Sequence, residues 1–294
     1  MNIAIVGGSG KMGRWFAGLL LKEGHEIVIT GRSKKRLKDA GQQLGVPVAA
    51  NVDAVRWADV VLLSVPIDDF VDVVKQVAPY TRPDQTLIEI TSVKMLPLEA
   101  IHTYIKTEKV LGVHPMFGPG ATGIAHHNFV LTPTNDAERD LAGTVNKYLE
   151  ERGGRVVTMS PDEHDEMMSV VLSFCHFIAL VSADTLLDVG RLQQLNTIGG
   201  TSYRMLMTFI ASVISEDPSL YAALQMNLPF TVKMETLFQD KVKKWADMVK
   251  SGESQEFIAN MEHIKSVFAA ENTDVDEAYR NGYKLVENLS KTGG

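Results

Sequence analysis

The first thirteen residues restrict the fold more than any other stretch of the chain. Asn2 to Val6 is a near-continuous apolar run of strand length, the pattern of a strand covered on both faces. Gly7-Gly8-Ser9-Gly10-Lys11-Met12-Gly13 follows at once, and a helical pattern of Trp15, Phe16, Leu19 and Leu20 continues to Gly24. Gly8, Gly10 and Gly13 thus form G-x-G-x-x-G between a strand and a helix. In that setting the first glycine permits the tight turn and the second lets backbone approach a pyrophosphate. The third lets the helix lie close on the strand, with its N-terminus facing the phosphates. Gly8, Ser9, Gly10, Lys11, Met12 and Gly13 are therefore the candidate dinucleotide contacts.

The second strand pattern is Glu26 to Thr30. A site for NAD places Asp or Glu at the end of this strand, on the ribose 2′-hydroxyl. Here the chain continues Gly31-Arg32-Ser33-Lys34-Lys35-Arg36. No carboxylate repels a 2′-phosphate, and Arg32 and Ser33 can pair with one, so the expected cofactor is NADP rather than NAD. Lys34, Lys35 and Arg36 read as the solvated first turn of the next helix.

Further strands alternate with helices: Asp59 to Pro66, whose Ser64-Val65-Pro66 end is expected to border the cofactor, then Gln85 to Thr91 and Lys109 to Val113. Phe129 to Thr132 and Arg155 to Met159 extend the set, with a helix from Ala137 to Glu151 between them. This alternation predicts a Rossmann-type, doubly wound and mainly parallel α/β sheet over residues 1–159. One strand ends in Gly112-Val113-His114-Pro115-Met116-Phe117-Gly118-Pro119, where two prolines and the glycines force a shaped loop. Ligands bind outside the carboxyl ends of such strands, so His114 is a candidate acid or base. The plainer alternative is a histidine that only hydrogen-bonds its own loop.

Strand patterning stops at Ser160-Pro161-Asp162-Glu163, a capping box with proline at the first helical position. The helix it opens runs towards Asp188 and Gly190, and its Met167, Val170, Val171, Phe174, Ile178, Val181 and Leu186 leave little polar surface, which predicts a buried helix. More helices fit near 199–215, 218–228, 230–250, 254–270 and 273–290. Residues 160–294 are thus expected to form an all-α domain that pairs with a second copy as a homodimer.

A net charge of −7 argues against nucleic acid or an anionic membrane as partner and leaves a small molecule. The single cysteine, Cys175, excludes an intrachain disulfide and a cysteine metal cluster, and fits a reducing compartment. The N-terminus enters a strand directly and no apolar run approaches the ~18 residues of a membrane span, so a cytoplasmic protein with no metal site is expected.

With the N-terminal fingerprint, Ser64-Val65-Pro66, Thr91-Ser92-Val93-Lys94 and Gly112-Val113-His114-Pro115-Met116-Phe117-Gly118-Pro119 in this order, the sequence resembles the prephenate/arogenate dehydrogenase family of tyrosine biosynthesis. Ser160-Pro161-Asp162-Glu163-His164-Asp165, His176 and Ser215-Glu216-Asp217-Pro218-Ser219-Leu220-Tyr221 carry the likeness into the second half. The resemblance implies oxidative decarboxylation of a cyclohexadienyl ring acid. Hydride passes to the nicotinamide, a base takes the hydroxyl proton, and carbon dioxide leaves as the ring aromatises. On that pattern His114 is the proton acceptor and Ser92 bonds the substrate hydroxyl or orients His114. Lys94 binds a substrate carboxylate or holds the loop, and His176 lines the substrate pocket. The family's arginine for the ring carboxylate is replaced by Ser212, and Arg204, about two turns earlier, and Lys94 are the candidate substitutes. A chain of 294 residues is expected to be the single-function form, without a fused chorismate mutase. Two alternatives stay open: another two-domain NADP oxidoreductase of the deazaflavin-dependent or β-hydroxyacid type, and an NADP-binding protein that has lost turnover.

Overall fold

The structure is a computed structural model and describes residues 1–271 and 274–292. Chain contacts divide it into two compact units that meet between Met168 and Ser169, nine residues later than the boundary expected at 159/160. The shift arises because Pro161–Met168, the first helix of the second half, packs within the first unit.

Among the described residues the first unit holds a seven-stranded sheet of order β2-β1-β3-β4-β5-β6-β7. Its strands are β1 (Asn2–Val6), β2 (Glu26–Ile29), β3 (Val60–Leu63), β4 (Thr86–Glu89), β5 (Val110–Pro115), β6 (Asn128–Thr132) and β7 (Arg155–Thr158). The first five are parallel, so their carboxyl ends share one edge. β6 runs antiparallel to β5, with Val130 opposite His114, and parallel to β7. The helices are α1 (Lys11–Lys22), α2 (Lys34–Leu44), α3 (Asn51–Trp57), α4 (Ile67–Val77), α5 (Met95–Tyr104), α6 (Asp136–Glu150) and α7 (Pro161–Met168). One face of the sheet carries a core of Val6, Leu63 and Leu87 with Phe70 and Ile101 from α4 and α5. The other packs Ile5, Ile29 and Leu131 against Ala17 of α1 and Leu149 of α6. Strands covered on both faces need apolar residues throughout, which is why β1 and β3 contain no polar residue after Asn2.

The crossovers diverge on either side of β1, and the fingerprint sits at that switch point. The conformational demand falls on Gly7 rather than on Gly8, where the motif places it. Gly7 has φ +86° and a Cβ there would collide with the Ser64 carbonyl. Gly8 is needed for closeness alone, since a Cβ would lie 2.7 Å from the Ile29 side chain. At Gly13 it would lie 2.7 Å from Gly7 O and Gly8 Cα.

In the second unit a π-helical turn, Ser169–Phe174, precedes α8 (Cys175–Val189), which Gly190 closes in the left-handed conformation. α9 (Leu192–Ile198), α10 (Thr201–Ile214), α11 (Pro218–Asn227), α12 (Thr231–Ser251), α13 (Ser254–Ala270) and α14 (Val275–Thr292) follow. The sequence pattern does not announce α9, and residue 273 of the last expected helix lies outside the described residues. In the π turn, Gln225 Nε2 donates to Ser173 O at 2.9 Å and the Ser173 hydroxyl donates to Gln225 Oε1 at 2.5 Å. These bonds serve polar groups that the wider winding displaces from the ordinary helical ladder.

One expectation fails along this helix, and the burial expected of it is not supplied by its own chain. Met167, Val170, Val171 and Val181 are exposed in the single chain, so the helix is not buried within its own unit. Contrary to the expectation that no apolar run approaches a membrane span, an 18-residue window of Pro161–Val189 is apolar enough to match one by length and composition. Its first turns nevertheless bury His164 and Asp165.

Gly13→Ala is expected to cost about 1–3 kcal/mol, because the colliding atoms are backbone and cannot turn aside. The urea midpoint measures this, and an unchanged midpoint would show that α1 does not need such close approach to β1.

Candidate active site

Side chains alternate along a strand, so Leu87 and Glu89 of β4 share a face with Val110, Gly112 and His114 of β5. Glu89 lies beside Gly112 in register. The missing side chain at Gly112 makes room for a buried charge pair. A Cβ there would collide with the Thr132 hydroxyl and lie 2.9 Å from Glu89 Oε1 and 3.1 Å from Lys94 Cδ. Lys94 Nζ donates to Glu89 Oε1 at 2.5 Å, to Thr91 O at 2.7 Å and to Val113 O at 3.2 Å. The other carboxylate oxygen of Glu89 accepts from Thr91 N at 2.8 Å and from the Thr91 hydroxyl at 2.6 Å. Both side chains are 0% exposed. Burial pushes the Glu89 carboxyl up and the Lys94 ammonium down, and each partner opposes the other's shift.

Lys94 also stands at the N-terminus of α5, where backbone amides lack helical partners. Asp165 of α7 supplies them: Lys94 N donates to Oδ1 at 2.7 Å and Met95 N to Oδ2 at 3.0 Å. His164 Nδ1 lies 2.7 Å from Asp165 Oδ1, and His164 Nε2 lies 2.8 Å from His114 Nδ1. His114 is 4% exposed, and among the described residues only its Nδ1 has a hydrogen-bond partner. Burial, then the Lys94 charge, then His164 hold His114 well below the ordinary imidazole pKa of 6.5. His164 is also lowered, chiefly by burial, with Asp165 opposing. A neutral imidazole with one nitrogen open, at the carboxyl end of a strand, can accept a proton.

This arrangement revises two expectations. Lys94 is not placed to bind a substrate carboxylate, because its three donors are met by Glu89, Thr91 and Val113; it holds the loop, the other role the family pattern offered. Ser92 lies half-buried in the turn after β4 and makes no side-chain hydrogen bond to His114; His164 occupies the orienting position instead. His164 and Asp165 escaped the sequence analysis as site residues. Two signals were visible: their place in the Ser160–Asp165 segment that carries the family likeness, and adjacency just inside a capped helix start, where Ser160 Oγ accepts from Glu163 N at 3.3 Å.

In the second unit, His176 packs edge-on to Tyr221 with centroids 4.6 Å apart, and burial lowers its pKa. Its Nδ1 is buried without a partner among the described residues. Arg204 is exposed on α10. Ser212, on the same helix, is exposed and its hydroxyl donates to Phe209 O at 2.7 Å.

The cradle for a dinucleotide lies on the same edge of the sheet as His114, three strand spacings or about 14 Å away. Ser9 and Gly10 end the turn into α1 and Lys11 and Met12 open the helix, whose N-terminus has no side-chain cap, so a phosphate fits there. Ser64 and Val65 line the adjoining end of β3, with Pro66 exposed beside them. Arg32 is 72% exposed and its Nη1 lies 2.7 Å from Asp69 Oδ1, while the Ser33 hydroxyl caps α2. Phe117, in the loop after His114, packs on Trp15 of α1 and on His127, and Trp15 Nε1 donates to Ala121 O at 2.6 Å.

Comparison with known proteins gives two family matches. The model of the prephenate dehydrogenase nucleotide-binding domain matches residues 16–158, and that of the prephenate dehydrogenase dimerization domain matches 160–263. A protein of Methanocaldococcus jannaschii named "Probable arogenate/prephenate dehydrogenase" is 29% identical over 275 residues, 92% of this chain and 62% of its own length. The T-protein of Enterobacter agglomerans is 25% identical over 272 residues, 90% of this chain and 67% of its own. The chain therefore spans about two thirds of these relatives' length. Among solved structures, prephenate dehydrogenase from Aquifex aeolicus in complex with hydroxyphenyl propionate and NAD+ shares the fold, with a TM-score of 0.76 at 21% identity over 93% of this chain and 99% of that one.

Two expectations follow from the geometry. Lys94→Met, which strands the Glu89 carboxylate in the interior, is expected to cost about 3–5 kcal/mol, and adding Glu89→Leu should return much of it; a mild single loss by denaturant titration would contradict the pairing. Below 6.5 the unfolded chain binds protons that folded His114 refuses, so this contribution to stability is complete above 6.5 and is lost as pH falls from there towards the folded value. The melting temperature of His114→Asn should accordingly fall less than that of the unaltered protein between about pH 7 and 5.

Proposed function

The chain belongs to the prephenate dehydrogenase family, and from that premise we propose that it carries out the NADP-dependent oxidative decarboxylation of prephenate or arogenate, yielding 4-hydroxyphenylpyruvate or tyrosine. The observation that carries the proposal is His114: a neutral, nearly buried imidazole with Nδ1 engaged and Nε2 open, on the edge that bears the dinucleotide fingerprint. When bound, the nicotinamide would take the hydrogen of the ring's carbinol carbon together with its electron pair. His114 Nε2 then takes the hydroxyl proton, for which a base that is unprotonated at neutral pH is required. Ser92, at the end of the neighbouring strand, is the second candidate hydrogen-bonding group for that hydroxyl. Family membership favours this reaction over the deazaflavin-dependent and β-hydroxyacid alternatives.

Arg204 is assigned to the ring carboxylate, because Ser212 has no charge to offer, and His176 to the ring acid as the family pattern has it. Preference for NADP rests on Arg32 and Ser33, with no carboxylate after β2. The 2′-phosphate would compete with Asp69 for Arg32, and its two or more negative oxygens favour it in that exchange. The exposed apolar side chains of the π turn and α8, together with the match to a dimerization domain, support a homodimer. With its single cysteine, Cys175, the enzyme is assigned to the cytoplasm.

Absorbance of reduced nicotinamide, followed with prephenate and with arogenate and with each cofactor, tests the reaction. A rise with one ring acid is expected, faster with NADP, and no rise in any mixture from protein that binds NADP would overturn the proposal. His114→Asn should lower turnover by about 10²-fold or more with cofactor affinity retained. Arg32→Ala should weaken NADP far more than NAD, and equal weakening would remove the 2′-phosphate assignment.

A further inference from the structure

We propose that His164 and Asp165 are positioning residues that hold His114 in the tautomer with its proton on Nδ1, leaving Nε2 as the basic nitrogen. The order of donors follows from groups that cannot change roles. The Lys94 and Met95 backbone amides are obligate donors, and both point at the Asp165 carboxylate. That carboxylate is an acceptor, so the His164 nitrogen 2.7 Å from it, Nδ1, carries a proton. A neutral His164 then has a bare Nε2, which can only accept. The atom facing that Nε2 at 2.8 Å is His114 Nδ1, which must therefore be the donor. One proton remains to be placed on a neutral His114, and Nδ1 holds it.

The reverse order fails on contact. If His164 Nε2 carried its single proton, a bare Nδ1 would face a carboxylate oxygen at 2.7 Å, two acceptors with nothing between them. A doubly protonated His164 would meet Asp165 well but is disfavoured by its burial and by the Lys94 ammonium, in line with its lowered pKa. The charged and titratable groups around His114 are Glu89 of β4, Lys94 at the start of α5, and His164 and Asp165 of α7; Val130, opposite on β6, contributes none. Asp165 is held in turn by the N-terminus of α5, whose dipole favours a negative group there. The backbone of one helix thus determines the protonated nitrogen of a histidine two side chains away.

The catalytic consequence rests on the oxidative decarboxylation proposed above, whereas the tautomer itself does not. The test therefore has two arms. In the full-length protein with 15N-labelled histidine, correlation spectra that tell protonated from bare ring nitrogens should show His114 protonated on Nδ1 and bare on Nε2 at neutral pH. Protonation on Nε2 would overturn the inference, even if the enzyme turned over prephenate. In the kinetic arm, His164→Leu removes the acceptor, whereas His164→Gln offers an amide oxygen to His114 Nδ1. His164→Leu should lower kcat by about 10²-fold with KM nearly unchanged, and His164→Gln should recover about tenfold of that loss. Equal losses in both variants, or a loss confined to KM, would overturn the positioning role. Absence of turnover with either ring acid, alongside the expected spectrum, would instead overturn the proposed reaction.

Discussion

An ionised group taken out of water has to be answered within the protein, and the Glu89–Lys94 pair imposes that demand on everything near it. The pair accounts for glycine at position 112, where any side chain would displace it, and for Thr91, whose amide and hydroxyl donate to the second carboxylate oxygen. It fixes the turn after β4, and with it the start of α5, whose amides then call for Asp165. Such pairs add little net stability compared with apolar residues of the same size. The gain is geometric and electrostatic: Lys94 keeps a positive charge next to His114 and disfavours a second one there.

The parallel sheet turns this local arrangement into a site. Because β1 to β5 all run the same way, the fingerprint after β1, Ser64 after β3, the Thr91–Lys94 turn after β4 and His114 at the end of β5 lie along a single edge. A dinucleotide held at the start of α1 would find the Ser64, Thr91–Lys94 and His114 ends along the same edge. The shaped loop from Met116 is anchored by Phe117 and Trp15, so the chain that leaves His114 is packed against the helix that begins the cofactor cradle.

The elements visible in the sequence were those with a strong local signal. Uninterrupted apolar runs gave β1 and β3, and the Ser160–Glu163 capping box gave the start of α7. What escaped depended on contacts distant in sequence. Lys94 looks like a surface ligand until Glu89 and Val113 are seen around it, and no periodicity reports that burial. His164 lies fifty residues from His114, so only the folding of α7 against the sheet joins them. Gly7 carries the positive φ that the motif ascribes to Gly8, because the spacing of glycines does not say which one meets Ser64. The apolar helix beyond Met168 reads as core, yet its own chain leaves Val170 and Val171 uncovered, a distinction that needs the neighbouring helices in place.

A His114 that works as a base kept neutral by its surroundings leaves its mark on the pH dependence of kcat/KM. The acid limb of that profile reports the pKa of the essential base in the free enzyme. A His114 depressed by burial and by Lys94 puts that limb clearly below 6.5 and moves it upward when the Lys94 charge is removed. An acid limb at or above 6.5, unmoved by loss of Lys94, would mean that another group accepts the proton.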